Sequence, residues 1–490
     1  VLLVLGSALA RRGTARTRPL QGRAGGQAGR APGPRRIALW LALSAVPSGL
    51  MLSTTTYLTT DIFAAPLLWV IPLGLYLLSF SVAFAERRGL ALAFTVVAPL
   101  VLCADGALTM IASQTPSLLA AAASLILLFI VSVALHSRLY ETRPDPARLT
   151  GFYLAMSGGG ALGGVFTALL APVLFDWTWE HPLLILAAAA LLPLGAWSGL
   201  LGRVIRGERP QRLVLVLLLF IAFTGSIALQ RQLASGPTWG LVELLAFAVI
   251  VAVATLLATR RWAYVAACAF LLAGLGGLTQ LQRTLEGARS RSYFGIYTVT
   301  GLVPGSPQVM DRTPALGLQW LDEGQAAEPT TYYGRSSGVG QAMLAAERLF
   351  GNDARVGVVG LGVGTLACYR QPGQSWTFFE IDPEVLAYSQ RGVFTYLDRC
   401  APEAPVVIGD ARLKLAEVPP GSFDLLAVDA FSSDAIPLHL LTDEALQVYS
   451  RALAEDGLLL VHISNRFVDL EPLLAALARN QGLVGTAPYD

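Results

Sequence analysis

Residues 355–382 read RVGVVGLGVGTLACYRQPGQSWTFFEID, and this stretch decides how the second half of the chain folds. The order is a strand at 356–359, a glycine turn at Gly360, Gly362 and Gly364, a helix starting near Thr365, and a second strand at 376–381 that ends in acid. That is the first half of a Rossmann-like fold. Glycine is needed at such a turn because the chain must reverse tightly and let its backbone approach a ligand. Glu380 lies 20 residues beyond Gly360, where these folds place a carboxylate on ribose hydroxyls. The spacing G-x-G-x-G, in place of G-x-G-x-x-G, favours an adenosyl-sulfonium nucleoside over a dinucleotide.

The rest of the composition belongs to a different kind of protein. Of 490 residues, 54% are hydrophobic and 14% charged, well below the roughly 25% charged of soluble domains. A membrane protein carrying a soluble part is expected. The net charge of +2 gives no footprint for nucleic acid. Cys103, Cys268, Cys368 and Cys400 are scattered without a C-x-x-C pair, so neither a disulfide framework nor a zinc site is expected. The chain opens Val-Leu-Leu-Val-Leu without methionine, and its native N-terminus is expected to lie upstream.

Stretches long enough to cross a bilayer, about 20 residues, fall at 37–58, 64–85, 90–112, 116–136, 150–174, 182–201, 212–229, 238–258 and 262–279, after an apolar remnant at 1–10. A multi-pass helical region over 1–283 follows, with the lipid bilayer of a bacterial inner membrane as its partner. Residues 11–36 hold eight arginines and no acid, which marks a cytoplasmic loop. Arginines also mark alternate later loops, at Arg87 and Arg88, 138–148, 203–212, and Arg260 and Arg261. Strict alternation carries the soluble part outside, whereas a cytosolic nucleoside asks for the inside; the cytoplasmic side is the expectation. Asp61 and Asp105 lie in or beside spans, where a charge is either functional or held at the interface. Ser157-Gly-Gly-Gly-Ala-Leu-Gly-Gly164 suits close helix packing.

From residue 292 the pattern changes to short alternating segments, 293–299, 316–321 and 330–333, which read as a small β-hairpin domain over 292–345. Over 346–490 strands and helices alternate: a helix near 383–391, a strand at 405–408, a helix from Arg412, a strand at 423–428, a helix at 442–453 and a strand at 457–463. This implies a mostly parallel α/β Rossmann-like sheet of the class I methyltransferase type, with ligands at the strands' C-terminal ends. The chain stops at Asp490, so the last strands of such a sheet are expected to be missing. Glu380, Asp410 and Asp429 all fall at strand ends. Three carboxylates on one edge raise one another's pKa unless cations or donors intervene, so a cationic or hydroxyl-rich ligand is implied. Glu380 suits the ribose and Asp410 an adenine amine, which leaves Asp429 and Asp434 for a second substrate.

These stretches resemble spermidine synthases, namely Gly360-Leu-Gly-Val-Gly-Thr-Leu, Phe379-Glu-Ile-Asp-Pro-Glu, Ile408-Gly-Asp-Ala-Arg and Phe423-Asp-Leu-Leu-Ala-Val-Asp-Ala. The whole chain looks like the bacterial membrane-fused members of that family, with matching stretches at 47–52, 66–80 and 149–154. The resemblance implies aminopropyl transfer from decarboxylated S-adenosylmethionine, a co-substrate and not a resident cofactor, to putrescine or a related amine. It implies Gly360, Gly362, Gly364, Glu380, Asp382, Asp410 and Ala411 on the nucleoside, Asp429 as base, and Gln319, Tyr332, Tyr333 and Asp434 on the amine. No metal is implied, and self-association is left open.

The chain departs from the family pattern in two places. Asp429-Ala-Phe-Ser-Ser-Asp434 holds four residues between its acids where D-x-x-D-P holds two, and lacks its proline, and Asp311-Arg-Thr-Pro-Ala-Leu-Gly-Leu-Gln-Trp replaces histidine-bearing stretches. The acceptor amine is thereby left open. A methyltransferase using S-adenosylmethionine would share the fold and the glycines, and a polyamine transporter or sensor is a third reading.

Overall fold

A computed structural model of the chain describes residues 32–58, 68–112, 118–235, 239–301, 307–311, 315–430, 437–464 and 469–487. The expectations for Asp61 and Asp434 lie outside these residues. The first half is helical: α1 (Pro34–Tyr57), α2 (Val70–Ala83), α3 (Gly89–Ala112), α4 (Leu118–Glu141), α5 (Leu149–Val165), α6 (Glu180–Leu191), α7 (Glu208–Ser235), α8 (Leu241–Leu256), α9 (Arg261–Leu272) and α10 (Leu278–Leu285). Among the described residues, seven helices are long and apolar enough to cross a membrane. Two of the nine expected spans are shorter helices, α2 and α6. The expected 182–201 span ends early because Leu192, which precedes Pro193, is turned out of helical geometry at ψ 141°.

The glycine stretch in α5 lets two helices touch. A Cβ on Gly159 would sit 2.4 Å from the Leu41 carbonyl oxygen, and one on Gly163 would sit 2.1 Å from that of Ala45. Only glycine permits α1 and α5 to approach this closely. Asp105 is not at a helix end in the interface; it lies inside α3 and is 7% exposed.

After α10 comes an antiparallel meander of β1 (Arg289–Arg291), β2 (Ile296–Thr300), β3 (Pro307–Asp311) and β4 (Ala315–Trp320), in that spatial order. It begins a few residues before the expected boundary at 292. The expected strand at 330–333 is a 3-10 turn, Thr331–Tyr333, in which Thr331 takes a left-handed φ of 57°. α11 (Gly338–Phe350) then leads into β5 (Arg355–Val359).

The second sheet is parallel throughout. β6 (Ser375–Glu380), β7 (Val406–Ile408), β8 (Phe423–Val428) and β9 (Leu453–Val461) join β5 in the order β7-β6-β5-β8-β9. Helices α12 (Pro383–Gln390), α13 (Tyr396–Cys400), α14 (Ala411–Glu417), α15 (Asp443–Ala452) and α16 (Glu471–Asn480) connect and cover the strands. Buried Val356, Val358, Phe378 and Leu425 pack on one face, and Val359, Phe379, Leu426 and Tyr449 on the other. Alternate residues of each strand thus feed two cores, as burial on both faces requires.

Two local expectations fail here. The helix expected from Thr365 is a single 3-10 turn, Thr365–Tyr369, because Pro372 follows and the chain must return at once to β6. The cysteine reading missed a disulfide between Cys368 and Cys400, which pins that turn to α13. The two cysteines are 32 residues apart in sequence, but their Cα atoms are 4.8 Å apart.

Candidate functional site

The strand order places β5 at the centre of the sheet, with β6 and β8 on either side. Successive connections leave β5 toward opposite faces there, which opens a crevice at the strands' C-terminal ends. A cavity of about 300 Å³ occupies that crevice, within the usual range for small-molecule sites. Gly360, Gly362, Glu380, Ala411, Asp429, Tyr332, Tyr333 and His439 are in its wall.

Gly360 has a φ of 96°, and a Cβ there would lie 2.2 Å from the Asp429 carbonyl oxygen. The turn therefore tolerates no side chain, and it brings the β5 and β8 ends together. Gly362 and Gly364 also have positive φ, but only Gly362 reaches the wall.

Glu380 ends β6 and is 7% exposed. Its two oxygens accept from the backbone N–H groups of Leu361 and Asp382, both at 2.9 Å. Burial pushes its pKa above the usual carboxylate value, and the N–H donors oppose that shift. Each oxygen retains a second lone pair for a ligand hydroxyl.

Asp429 follows β8. Its Oδ2 accepts from the Tyr333 phenol, and its Oδ1 lies 2.7 Å from His462 Nδ1. With Asp429 as carboxylate, which only accepts, Nδ1 carries the proton. The Tyr332 ring lies 4.9 Å from the His462 ring and 4.3 Å from that of Tyr333, so an aromatic group borders the carboxylate. Burial, with the Asp429 charge beside it, pushes the Tyr333 phenol well above its usual pKa and keeps it a neutral donor.

Other expected site residues are engaged elsewhere. Asp382 is 1% exposed; it caps α12 through Glu384 N at 2.9 Å and accepts from the Ser292 and Tyr297 hydroxyls. It supports the cavity wall from behind. Asp410 caps α14, accepting from Arg412 N at 2.9 Å, and its other oxygen is 3.3 Å from His439 Nε2. Gln319 does not face the cavity: its amide is spent on Ala326 O at 2.7 Å, Thr395 Oγ1 at 3.0 Å and Thr395 N at 2.8 Å. It braces β4 against the start of α13.

His439, His462, Phe294 and Tyr297 were not anticipated. Tyr297 and Phe294 reach the cavity from the meander. The two histidines carry no motif. The only signal available was their place, one just after the strand reaching Val461 and the other in the loop after β8.

No family model matches the chain. No curated protein matches it either. Among solved structures, a probable spermidine synthase from Corynebacterium glutamicum shares 22% identity at a TM-score of 0.31, over 35% of this chain and 62% of its own. Spermidine synthase from Thermotoga maritima shares 17% at 0.27, over 40% and 62%. A spermidine synthase in complex with the transition state analogue AdoDATO shares 18% at 0.29, over 40% and 62%. The chain spans 62% of the length of each of these structures.

Proposed function

We propose that this chain is a membrane-tethered transferase that moves the aminopropyl group of decarboxylated S-adenosylmethionine to an amine, releasing methylthioadenosine. The observation that carries the reading is the pairing of acid and aromatic groups in one cavity: Asp429 beside Tyr332 and Tyr333, with Glu380 across the glycine turn. Glu380 accepts from the ribose hydroxyls, and the N–H groups it already holds keep it oriented.

An amine with a pKa near 10, by analogy with lysine, is protonated at neutral pH and cannot attack carbon. Asp429 takes one proton from it, a transfer that a low-dielectric cleft favours because two charges become two neutral groups. The amine lone pair then forms the N–C bond to the carbon next to sulfur. The C–S bond breaks with its electron pair going to sulfur, so the cation becomes a neutral thioether. Tyr333 and His462 fix the carboxylate in line, and holding the partners close supplies much of the rate.

Donor choice follows from charge. Among the described residues, the cavity wall holds Glu380 and Asp429 and no Lys or Arg. The carboxylate of ordinary S-adenosylmethionine would meet repulsion there, and a donor lacking it would not. This favours aminopropyl over methyl transfer.

Membrane tethering rests on the helical half. Leu90, Leu154, Leu213, Phe220 and Leu241 are each more than half exposed on its long apolar helices, a surface that suits lipid better than water. Purified protein given decarboxylated or ordinary S-adenosylmethionine and a panel of amines tests the reaction. Methylthioadenosine release with the decarboxylated donor is expected, and no release with any amine would overturn the reading.

A further inference from the structure

The helical half has two chemically different ends. At one end the Arg36 guanidinium donates to the Thr142 carbonyl at 2.7 Å, and Arg88 lies 4.0 Å from Glu141. At that same end Arg138 donates to the Leu191 carbonyl and Arg261 to the Ala190 carbonyl, while Arg260 reaches Gln211 at 3.4 Å. These contacts gather the start of α1, the end of α4, the end of α6 and the starts of α7 and α9. Arg87, Arg143, Arg148, Arg203 and Arg206 lie in the same set of connections, and Arg209 in the first turn of α7.

The stretches of sequence that separate the helix ends on the opposite side, 58–69, 113–117, 175–179 and 236–240, contain no Lys or Arg. The parallel-sheet half is built on this end, which holds fewer arginines. Arg291 makes a bidentate pair with Glu180 at 2.8 and 2.9 Å, Arg289 lies 3.5 Å from Asp176, and the Tyr293 hydroxyl donates to Leu169 O at 3.3 Å. Arg231 and Arg283 also sit toward this end, but Arg289 and Arg291 are neutralised inside the joint.

Loops rich in Lys and Arg stay on the cytoplasmic side of a membrane. The arginine end is then cytoplasmic, and among the described residues the seven long helices and the shorter α2 and α6 run between the two ends an odd number of times, which places the cavity on the other face. A second observation of a different kind agrees. The sheet half holds the Cys368–Cys400 disulfide, and such bonds persist in oxidising, extracytoplasmic compartments. Cys103 and Cys268, inside the helical half, have sulfurs 3.8 Å apart and remain thiols.

We infer that the cavity opens on the extracytoplasmic side of the membrane and draws its amine from that compartment. This face is the opposite of the cytoplasmic one expected from the sequence. Naming the ligand an amine rests on the function proposed above; the sidedness does not. A permanently charged sulfonium does not cross lipid unaided, so the nucleoside donor must be supplied on the same side.

The test uses the full chain with a site for a sequence-specific protease inserted between Glu323 and Gly324, both exposed. Purified protein in detergent verifies that the site is cut. In intact spheroplasts of a Gram-negative host, added protease is expected to cleave the chain while a cytoplasmic control carrying the same site survives. Cleavage only after lysis would overturn the inference. Thiol counting on denatured protein gives an independent readout, with Cys103 and Cys268 alone reacting with a polymer-linked maleimide before reduction and all four cysteines after it. Reaction of all four without reductant would overturn the disulfide argument. Turnover is assayed in detergent, where sidedness is abolished, so failure of the reaction and failure of the orientation are separate results.

Discussion

His462 Nδ1 lies 2.7 Å from Asp429 Oδ1 although the two residues are 33 positions apart. The register of the sheet explains the contact: Val428 of β8 pairs with Val461 of β9, so the residues that follow emerge side by side. With the Tyr333 phenol on the other oxygen, the carboxylate is held from two directions at the cavity wall. Asp429→Asn removes the base and leaves Glu380 in place. Turnover is expected to fall by about 10²–10⁴-fold, the range for loss of a general base, with nucleoside affinity retained. Single-turnover kinetics beside equilibrium nucleoside binding checks this, and loss of binding instead would mean that Asp429 serves the nucleoside.

Glu380 offers a test of the other half of the cavity. Glu380→Gln turns one acceptor oxygen into an NH₂ group that must face a backbone N–H, either that of Leu361 or that of Asp382. Charge-assisted hydrogen bonds contribute about 1.5–3 kcal/mol, so nucleoside affinity is expected to drop by about 10–100-fold. Calorimetric titration with methylthioadenosine measures it, and unchanged affinity would remove Glu380 from the ligand site.

The joint between the halves depends on a buried ion pair. Arg291 and Glu180 side chains are 7% and 2% exposed. Arg291→Ala leaves Glu180 charged and unpaired, at a cost of about 3–5 kcal/mol. Thermal unfolding in detergent should show a large loss for either single substitution to alanine. The double substitution should lose less than the sum, because removing both partners leaves no orphan charge.

The Arg355–Asp424 pair predicts a pH dependence. Hydrogen bonding from Arg355 holds the Asp424 carboxyl below its usual value, against a smaller opposing effect of burial. A depressed carboxylate stabilises the fold above the unfolded pKa, near 3.9, and that stability is lost as pH falls through the lower folded value. Asp424→Asn is therefore expected to cost about 1 kcal/mol near neutrality, the scale of a partly exposed pair, and to converge with the parent protein in strong acid. Denaturant unfolding across acid pH follows the difference. A gap that persists below both pKa values would assign the loss to packing.

Four strands of the parallel sheet, β5 to β8, were legible because each is a short run closed by glycine or acid, and the strand at 423–428 was read to the residue; β9 lacks that closure and starts at Leu453, four residues before the expected strand. Where local pattern and tertiary demand differed, the pattern misled. Residues 330–333 have β-forming side chains, yet they form a 3-10 turn whose last residue, Tyr333, reaches Asp429. Gln319 sits where a substrate contact was expected, but its amide is consumed in joining two segments that are 76 residues apart.

The two kinds of architecture, the glycine turn at Gly360 and the acids at the ends of β6 and β8 are readable without any fold. Hydrophobic period, backbone freedom and chain order are local properties, and a single chain carries them openly. It took the folded chain to show that His462 backs Asp429, that Asp382 supports the wall instead of lining it, that Cys368 meets Cys400, and that the sheet half stands on the end with fewer arginines. Those facts depend on strand register and helix packing, which bring distant residues within a few ångströms, and such distances are not written in local sequence.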